Sequence, residues 1–168
     1  MNIKIEALSL EDEVELFKFE KKNRQFFEKS VPGRGEAFYH FKNFQSKHRD
    51  LLKEQENGEN LFYLIKDDTG RILGRVNLVE IDPIDKSAEI GFRIGKEYGS
   101  KGIASAALKL LFKVHPDFTL KGKTTTCNLG SQKVFEKNGF KVVKIDEASF
   151  QLNGQQMKFI HYVSVKVN

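Results

Sequence analysis

Apolar and polar positions divide the chain into short alternating runs and longer stretches at helical spacing. Residues 2–8 (NIKIEAL) alternate and predict a first strand. Ser9 and Asp12 form a capping-box pattern, so a helix is expected from about Leu10 to Asn23. Leu10, Val14 and Phe17 would be its buried stripe. Pro32, Gly33 and Gly35 mark a loop. Residues 36–56 then place Phe38, Phe41, Gln45, His48 and Leu52 at helical spacing and predict a second helix. With Phe38, Tyr39, Phe41 and Phe44 it is too aromatic for a plain surface helix. Its rings are either a core face or the wall of a ligand cleft.

Residues 61–65 and 72–81 read as strands joined at Asp67-Asp68-Thr69-Gly70, a hairpin signal. After a turn at residues 82–85, residues 87–94 give the third strand of an antiparallel meander. A glycine-rich turn follows at Gly99, Ser100, Lys101 and Gly102. It opens a helix over residues 103–114, with Ile103, Ala107, Leu110, Leu111 and Val114 as apolar positions. His115-Pro116 ends that helix, since proline disfavours a helical predecessor. Residues 123–127 (KTTTC) read as a strand. Another helix opens at Asn128-Leu129-Gly130-Ser131, carries Ser131, Val134, Phe135 and Asn138 on one face, and stops at Gly139. Residues 140–145 and 159–167 are the last strands, around a turn at Asn153-Gly154. The element order predicts a mixed α/β (α+β) sheet, a meander followed by βαβα, with helices on both faces. One domain over residues 1–168 is expected.

The composition is compatible with that architecture. A chain of 168 residues, 39% hydrophobic and 30% charged, buries a sufficient core without disulfides or metals. The single Cys127 excludes an internal disulfide and a multi-cysteine metal site, and no metal is expected. No apolar run reaches the ~18 residues of a membrane span, and the N-terminal residues lack a signal-peptide layout. A cytoplasmic location is the expectation. The formal charge is +5, but the lysines and arginines are dispersed. The densest patches, residues 18–24 and 121–123, are too short for a basic arm. A solvated surface explains them; attraction of a polyanionic ligand or a ribonucleoprotein is the alternative.

Strand, glycine turn and helix start together concentrate unpaired backbone N–H groups and a positive dipole end, the requirements for holding a phosphate. A second helix start near Ser131 also follows a strand. Neither a G-x-x-x-x-G-K-[ST] nor a G-x-G-x-x-G loop is present, and no H-E-x-x-H, Cys/His cluster or nucleophile elbow appears.

The run Glu97-Tyr98-Gly99-Ser100-Lys101-Gly102-Ile103-Ala104, followed by Asn128-x-x-Ser131-x-x-Val134-x-x-Lys137-x-Gly139-Phe140, resembles the GNAT N-acetyltransferase superfamily. Asn23-Arg24-x-Phe26-Phe27 resembles a recurring opening of its Rim-type branch, related to ribosomal-protein N-terminal alanine acetyltransferases. The resemblance implies acetyl-CoA as cofactor and CoA as product. Backbone N–H groups of Gly99, Ser100, Lys101, Gly102, Ile103 and Ala104 would hold the pyrophosphate. The strand bearing Ile90, Phe92, Arg93 and Ile94 would pair with the pantetheine, which Asn128 and Ser131 would contact and Phe135 would flank. Asn23, Phe26, Phe27 and Phe38 would help frame the acceptor pocket, together with the loop over residues 23–35 and the Asn153-Gly154 turn. The chain departs from the family at Gly99-Ser100, where many Rim-type members carry Trp-Gly, and at Phe135, where many relatives place a tyrosine general acid.

The implied chemistry needs a neutral amine. A protein N-terminal amine, with a pKa of about 8, is far more often neutral at pH 7 than a lysine at about 10.4. Glu89, beside the cofactor strand, is the candidate general base, against a reading as an exposed strand residue; Glu147 is the alternative base. Phe135 cannot protonate a leaving thiolate, which leaves Ser131 as candidate donor. Cys127 would be a buried strand residue rather than an acyl carrier, and His40, His48, His115 and His161 would be structural or superficial. The resulting expectation is direct acetyl transfer to a primary amine, on a protein N-terminus or a small molecule. The alternative is a non-catalytic acyl-CoA-binding or ribosome- or RNA-associated module. Expected partners are the amine acceptor and a second copy of the chain in a homodimer, with no membrane and no direct nucleic acid.

Overall fold

A computed structural model describes residues 2–165. The strands are β1 (Ile3–Ala7), β2 (Leu61–Asp67), β3 (Ile72–Asp82), β4 (Ser87–Ile94), β5 (Thr119–Thr125), β6 (Phe140–Ile145), β7 (Phe150–Leu152), β8 (Gln155–Met157) and β9 (Phe159–Ser164). The helices are α1 (Glu13–Lys22), α2 (Arg24–Phe27), α3 (Phe41–Glu56), α4 (Ile103–Val114) and α5 (Leu129–Lys137). Seven strands form one sheet in the order β1-β2-β3-β4-β5-β9-β6, antiparallel except for β4 and β5. β7 and β8 form a separate hairpin about the Asn153-Gly154 turn.

Alternation along the strands supplies two cores. Ile65, Leu73, Val76, Leu78, Ala88 and Ile90 face Ile103, Ala107, Leu108 and Leu111 of α4. On the opposite face Phe62, Leu64 and Ile72 pack with Leu16, Phe19, Phe27 and Phe44. The predicted mixed sheet with helices on both faces is therefore present.

Three elements differ from the sequence reading. First, residues 10–12 form a 3-10 turn, and α1 proper begins at Glu13. Asp12 accepts hydrogen bonds from Ser9 N at 2.9 Å and Ser9 Oγ at 3.1 Å, as the capping pattern suggests. The turn fixes the helical phase so that Asp12, Leu16, Phe19, Glu20 and Asn23 are buried. Leu10 and Val14, expected inside, are about half exposed. Second, the predicted helix over residues 36–56 is broken at His40, whose extended backbone separates a 3-10 turn (Glu36–Tyr39) from α3. Third, β5 begins four residues earlier than predicted and ends before Cys127. Leu120, Gly122 and Thr124 face inward while Lys121 and Lys123 face solvent, so lysines conceal the alternation. Cys127 is exposed on the following turn, not buried in a strand. Residues 166 and 167, the end of the predicted last strand, lie outside the described residues.

Among the described residues no helix is long and apolar enough to cross a membrane.

Candidate active site

β4 and β5 run parallel and side by side only from Ser87–Thr119 to Glu89–Lys121. Beyond that pair they separate, so residues 90–94 of β4 pair with β3 alone and residues 122–125 of β5 pair with β9 alone. Two facing, unpaired strand edges open a wedge. The wedge lies at the carboxyl ends of parallel strands, where α/β sheets place their ligands. Both following helices start there.

At α4 the backbone takes the conformations that such a start requires. Ser100 has φ 58° and Gly102 φ 76°, with Gly99 extended between them and the Lys96–Tyr98 3-10 turn. Gly102 is the N-cap in a left-handed conformation that most side chains would strain. The first bond of the helix joins Ala106 N to Gly102 O, and the N–H groups from Ser100 to Ser105 have no acceptor among the described residues. Lys101 is exposed. A row of bare N–H groups at a twelve-residue helix start suits an anion without any side chain.

At α5 the Asn128 carboxamide oxygen accepts from Ser131 N at 3.1 Å, a side-chain N-cap. Its amide NH₂ and the Ser131 hydroxyl have no partner among the described residues. Asn138, at the far end of α5, donates to Ser105 Oγ at 3.1 Å and to Val134 O at 2.8 Å, tying α5 to the first turn of α4.

Phe135 closes the bottom of the wedge. It is 1% exposed, stacked on Tyr162 at 4.6 Å, and in edge contact with Phe92 at 5.6 Å and Phe140 at 5.1 Å. Ile90 is a core residue and Ile94 is half-buried. On β4, then, it is the backbone edge that reaches the wedge. Arg93 points to the opposite face, with its guanidinium 4.7 Å from the Phe27 ring centre and 3.5 Å from Glu20 Oε2.

Glu89 shares that opposite face with Gly91 and Arg93, because Ala88 and Ile90 take the α4 side. It is half-buried and forms no hydrogen bond or ion pair among the described residues. Glu147 is exposed on the connection after β6. A Cβ on Gly91 would meet nothing within 4 Å, so the space above the strand beside Glu89 is open.

The residues expected around the acceptor separate into different roles. Asn23 is buried: its amide donates to Phe19 O at 2.9 Å, and its oxygen accepts from Lys96 N at 2.9 Å. It therefore fastens the end of α1 to the turn before Gly99. Phe27 belongs to the core, and Phe26 is at the surface. Phe38 lines a cavity of about 400 Å³ between α1, α3 and the sheet. The β7–β8 hairpin reaches the loop after α2, where Asn153 Nδ2 donates to Glu28 O and Lys29 O at 3.0 Å.

A charged group in that region escaped the sequence reading. Glu20, 1% exposed, meets Arg75 Nη1 at 2.8 Å, Arg34 Nη1 at 3.2 Å and Arg93 Nη1 at 3.5 Å. Burial alone would raise the Glu20 carboxyl; the Arg75, Arg34 and Arg93 charges overcome that and hold it below its ordinary value. Burial, with the like charge of Arg34, brings Arg93 down to about 10, so it stays cationic at neutral pH. The legible signal was Arg75 and Asn77, two polar residues at i, i+2 within the otherwise apolar run from Ile72 to Val79.

These features define an acetyltransferase of the GNAT type. The family profile described as "Acetyltransferase (GNAT) domain" matches residues 2–141, and the chain belongs to that family, whose acyl donor is acetyl-CoA. The bare N–H row and the open strand edge suit that donor's phosphates and amides. Across 163 residues the chain is 26% identical to the probable N-acetyltransferase YjcK of Bacillus subtilis, covering 90% of this chain and 87% of that one. Its fold is similar to RimL, a ribosomal L7/L12 alpha-N-protein acetyltransferase solved with coenzyme A. The TM-score is 0.87 at 20% identity, over 98% of this chain and 94% of that one. It is also similar to the microcin C7 self-immunity acetyltransferase MccE in complex with acetyl-CoA and AMP. Here the TM-score is 0.84 at 24% identity, over 97% and 92% of the two chains.

Proposed function

We propose that the protein transfers the acetyl group of acetyl-CoA directly to a primary amine that approaches from the α1–α3 face of the sheet. The observation that carries this reading is the separation of β4 and β5 after Glu89 and Lys121, beside the bare N-terminus of α4. The N–H groups from Ser100 to Ala104 would hold the pyrophosphate, with Gly99 setting the turn and Lys101 adding charge at its rim. The backbone of residues 90–94 would bond to the pantetheine as an added strand. The free Asn128 NH₂ would complete that contact while its oxygen caps α5.

Acetyl-CoA supplies a thioester carbonyl and a thiolate leaving group. Glu89 would be the general base: it stands on the face of the sheet that carries α1 and α3, without a competing partner among the described residues, next to the open space over Gly91. It would take the ammonium proton directly or through a water. Phe135 offers no proton, so Ser131, whose hydroxyl is uncommitted, would donate to the departing thiolate. A thiol of ordinary pKa about 8.5 needs little assistance. Much of the rate would come from positioning the two reactants. The relatives' acceptors, a ribosomal protein in one named case, leave both an N-terminal amine and a small amine in view.

Free-thiol release from acetyl-CoA, measured against a panel of small amines and N-terminal peptides alongside calorimetric CoA titration, tests the reading. CoA binding with amine-dependent thiol release is the expected result. Absence of CoA binding, or its persistence when the glycine turn is rebuilt as Gly102→Val, overturns it.

A further inference from the structure

We infer that the acceptor is an anionic amine, a primary amine carrying a carboxylate or phosphate group that docks in the arginine-lined cavity between α1 and α3. This rests on the acetyltransfer reading above and specifies its second substrate. The cavity, about 400 Å³, has an apolar end at Leu16, Phe44 and Phe62, while Arg34, Arg75 and Lys47 supply its charge. Those three are cationic, and no carboxylate belongs to the lining. Among the described residues Glu20 is the one acidic side chain in contact with this group, and it is divided among Arg75, Arg34 and Arg93. Three guanidinium charges against one carboxylate leave two uncompensated, and Lys47 forms no ion pair among the described residues. Arg75 is buried against Glu20, Arg93 is half-buried, and Arg34 and Lys47 are exposed, so the surplus positive charge lines the way into the cavity and suits a ligand that brings negative charge.

The unpartnered polar atoms agree. Arg75 is 5% exposed, and its Nε is buried without a hydrogen-bond partner. The oxygen of Asn77 is likewise unpartnered, and so is Nδ1 of His48, whose Nε2 is 2.8 Å from Ser9 O. All three residues line the cavity. Native proteins rarely leave such groups unsatisfied, and three on residues that line one void suit a polar occupant. A carboxylate or phosphate would accept from Arg75 and Arg34, and an N–H or O–H of the same ligand would donate to Asn77.

The route to the chemistry is short. Asn77 pairs with Gly91, and Val79 with Glu89, so the cavity and the candidate base occupy one sheet face on adjacent strands. Gly91 leaves the surface between them clear. With strands about 4.8 Å apart and about 3.3 Å per residue, an amine over Gly91 lies on the order of 8 Å from Arg75, whose partner on β4 is Arg93. Glu89 would face the ammonium end and the arginines the anionic end, which complements a zwitterion and repels a polycation.

The test compares kcat/KM for matched pairs: 6-aminohexanoate against hexylamine, and a tripeptide with glutamate at its second position against the same peptide with glutamine. A preference of about tenfold or more for the charged member of either pair is expected, the size of one charge-assisted hydrogen bond. The pair that shows it identifies the source as a small amino acid-like molecule or a chain end. Arg34→Met and Lys47→Met, both at the cavity mouth, should abolish most of that preference through KM while CoA titration stays unchanged. Binding of the product analogue 6-acetamidohexanoate, measured by calorimetry, should weaken in the same variants. Equal use of hexylamine and 6-aminohexanoate with no peptide preference overturns the inference while leaving acetyltransfer standing. So does faster use of spermidine, or failure of the analogue to bind to a protein that binds CoA. Loss of CoA binding in the unaltered protein would instead overturn the reading beneath it.

Discussion

Gly122 and Phe135 occupy adjoining space so closely that neither position tolerates growth of the other. A Cβ built on Gly122 would lie 2.5 Å from both Cε1 and Cζ of the Phe135 ring, and 3.4 Å from Ile90 Cγ1. The ring has no room to retreat, because Tyr162 stacks on its other side. This contact sets where α5 sits on the sheet and how far β5 stands from β4. Gly122→Ala should therefore destabilise by about 1–3 kcal/mol, the usual cost of overpacking a core. Phe135→Leu combined with Gly122→Ala should recover part of that loss. Urea unfolding of both singles and the double, treated as a mutant cycle, checks the coupling; additive losses would mean the contact is not shared.

Asn128 has two uses, and substitution can separate them. Its oxygen caps α5, and a lost cap costs about 0.5–2 kcal/mol. Asn128→Ala should lower stability by that amount and raise the KM for acetyl-CoA. Asn128→Ser retains a capping oxygen but no amide NH₂. It should restore most of the stability while the KM stays raised, as thermal unfolding and steady-state kinetics on the same preparations would show. If Ser rescues both, the residue acts on the cofactor only by ordering α5.

Much of the fold was readable because each predicted strand, turn and cap carries its signal locally: the Asp67 to Gly70 hairpin turn, the Ser9 cap, the glycine start of α4. What was hidden lay where polar residues take core positions. The α1 stripe failed because three of its five buried members, Asp12, Glu20 and Asn23, are not apolar. Hydrophobic periodicity then favours the wrong phase, and the exposed Leu10 and Val14 fill the gap. The same blindness concealed the arginine cluster, since Glu20 and Arg75 are 55 residues apart and only the β3–α1 packing unites them. The wedge was accessible in part. Its glycine turn and Asn128 stand out, whereas the point at which β4 and β5 part is a property of pairing that no single segment records.

The Glu20 cluster should make stability acid-sensitive. Its folded pKa lies below the ordinary carboxylate value, so the unfolded chain binds the proton more readily. The stabilisation is fully present above about pH 4.5 and is lost as pH falls through the lower folded value. Glu20→Gln should cost about 3–5 kcal/mol at pH 7, because three guanidinium groups lose their buried counter-charge. It should also flatten that part of the profile. Denaturant unfolding of both proteins from pH 7 to pH 3 gives the comparison; parallel profiles would show that acid acts elsewhere.

Glu89 provides the sharpest test of the chemistry. Below the pKa of its substrate, an amine is mostly protonated, and a positioned carboxylate removes the proton within the complex. Glu89→Gln keeps the size and hydrogen-bonding outline but not the basicity, so kcat/KM should fall by about a hundredfold, within the usual range for a general base. The deficit should be largest near pH 6, where free amine is scarce. It should shrink as pH approaches the amine pKa, about 8 for a chain terminus and above 10 for an alkylamine. The pH–rate profiles of the two proteins should accordingly converge at high pH, and the point of convergence should move with the acceptor's pKa. A constant ratio across the range would remove Glu89 as the base and assign it to positioning, and an unchanged rate would remove it from the mechanism.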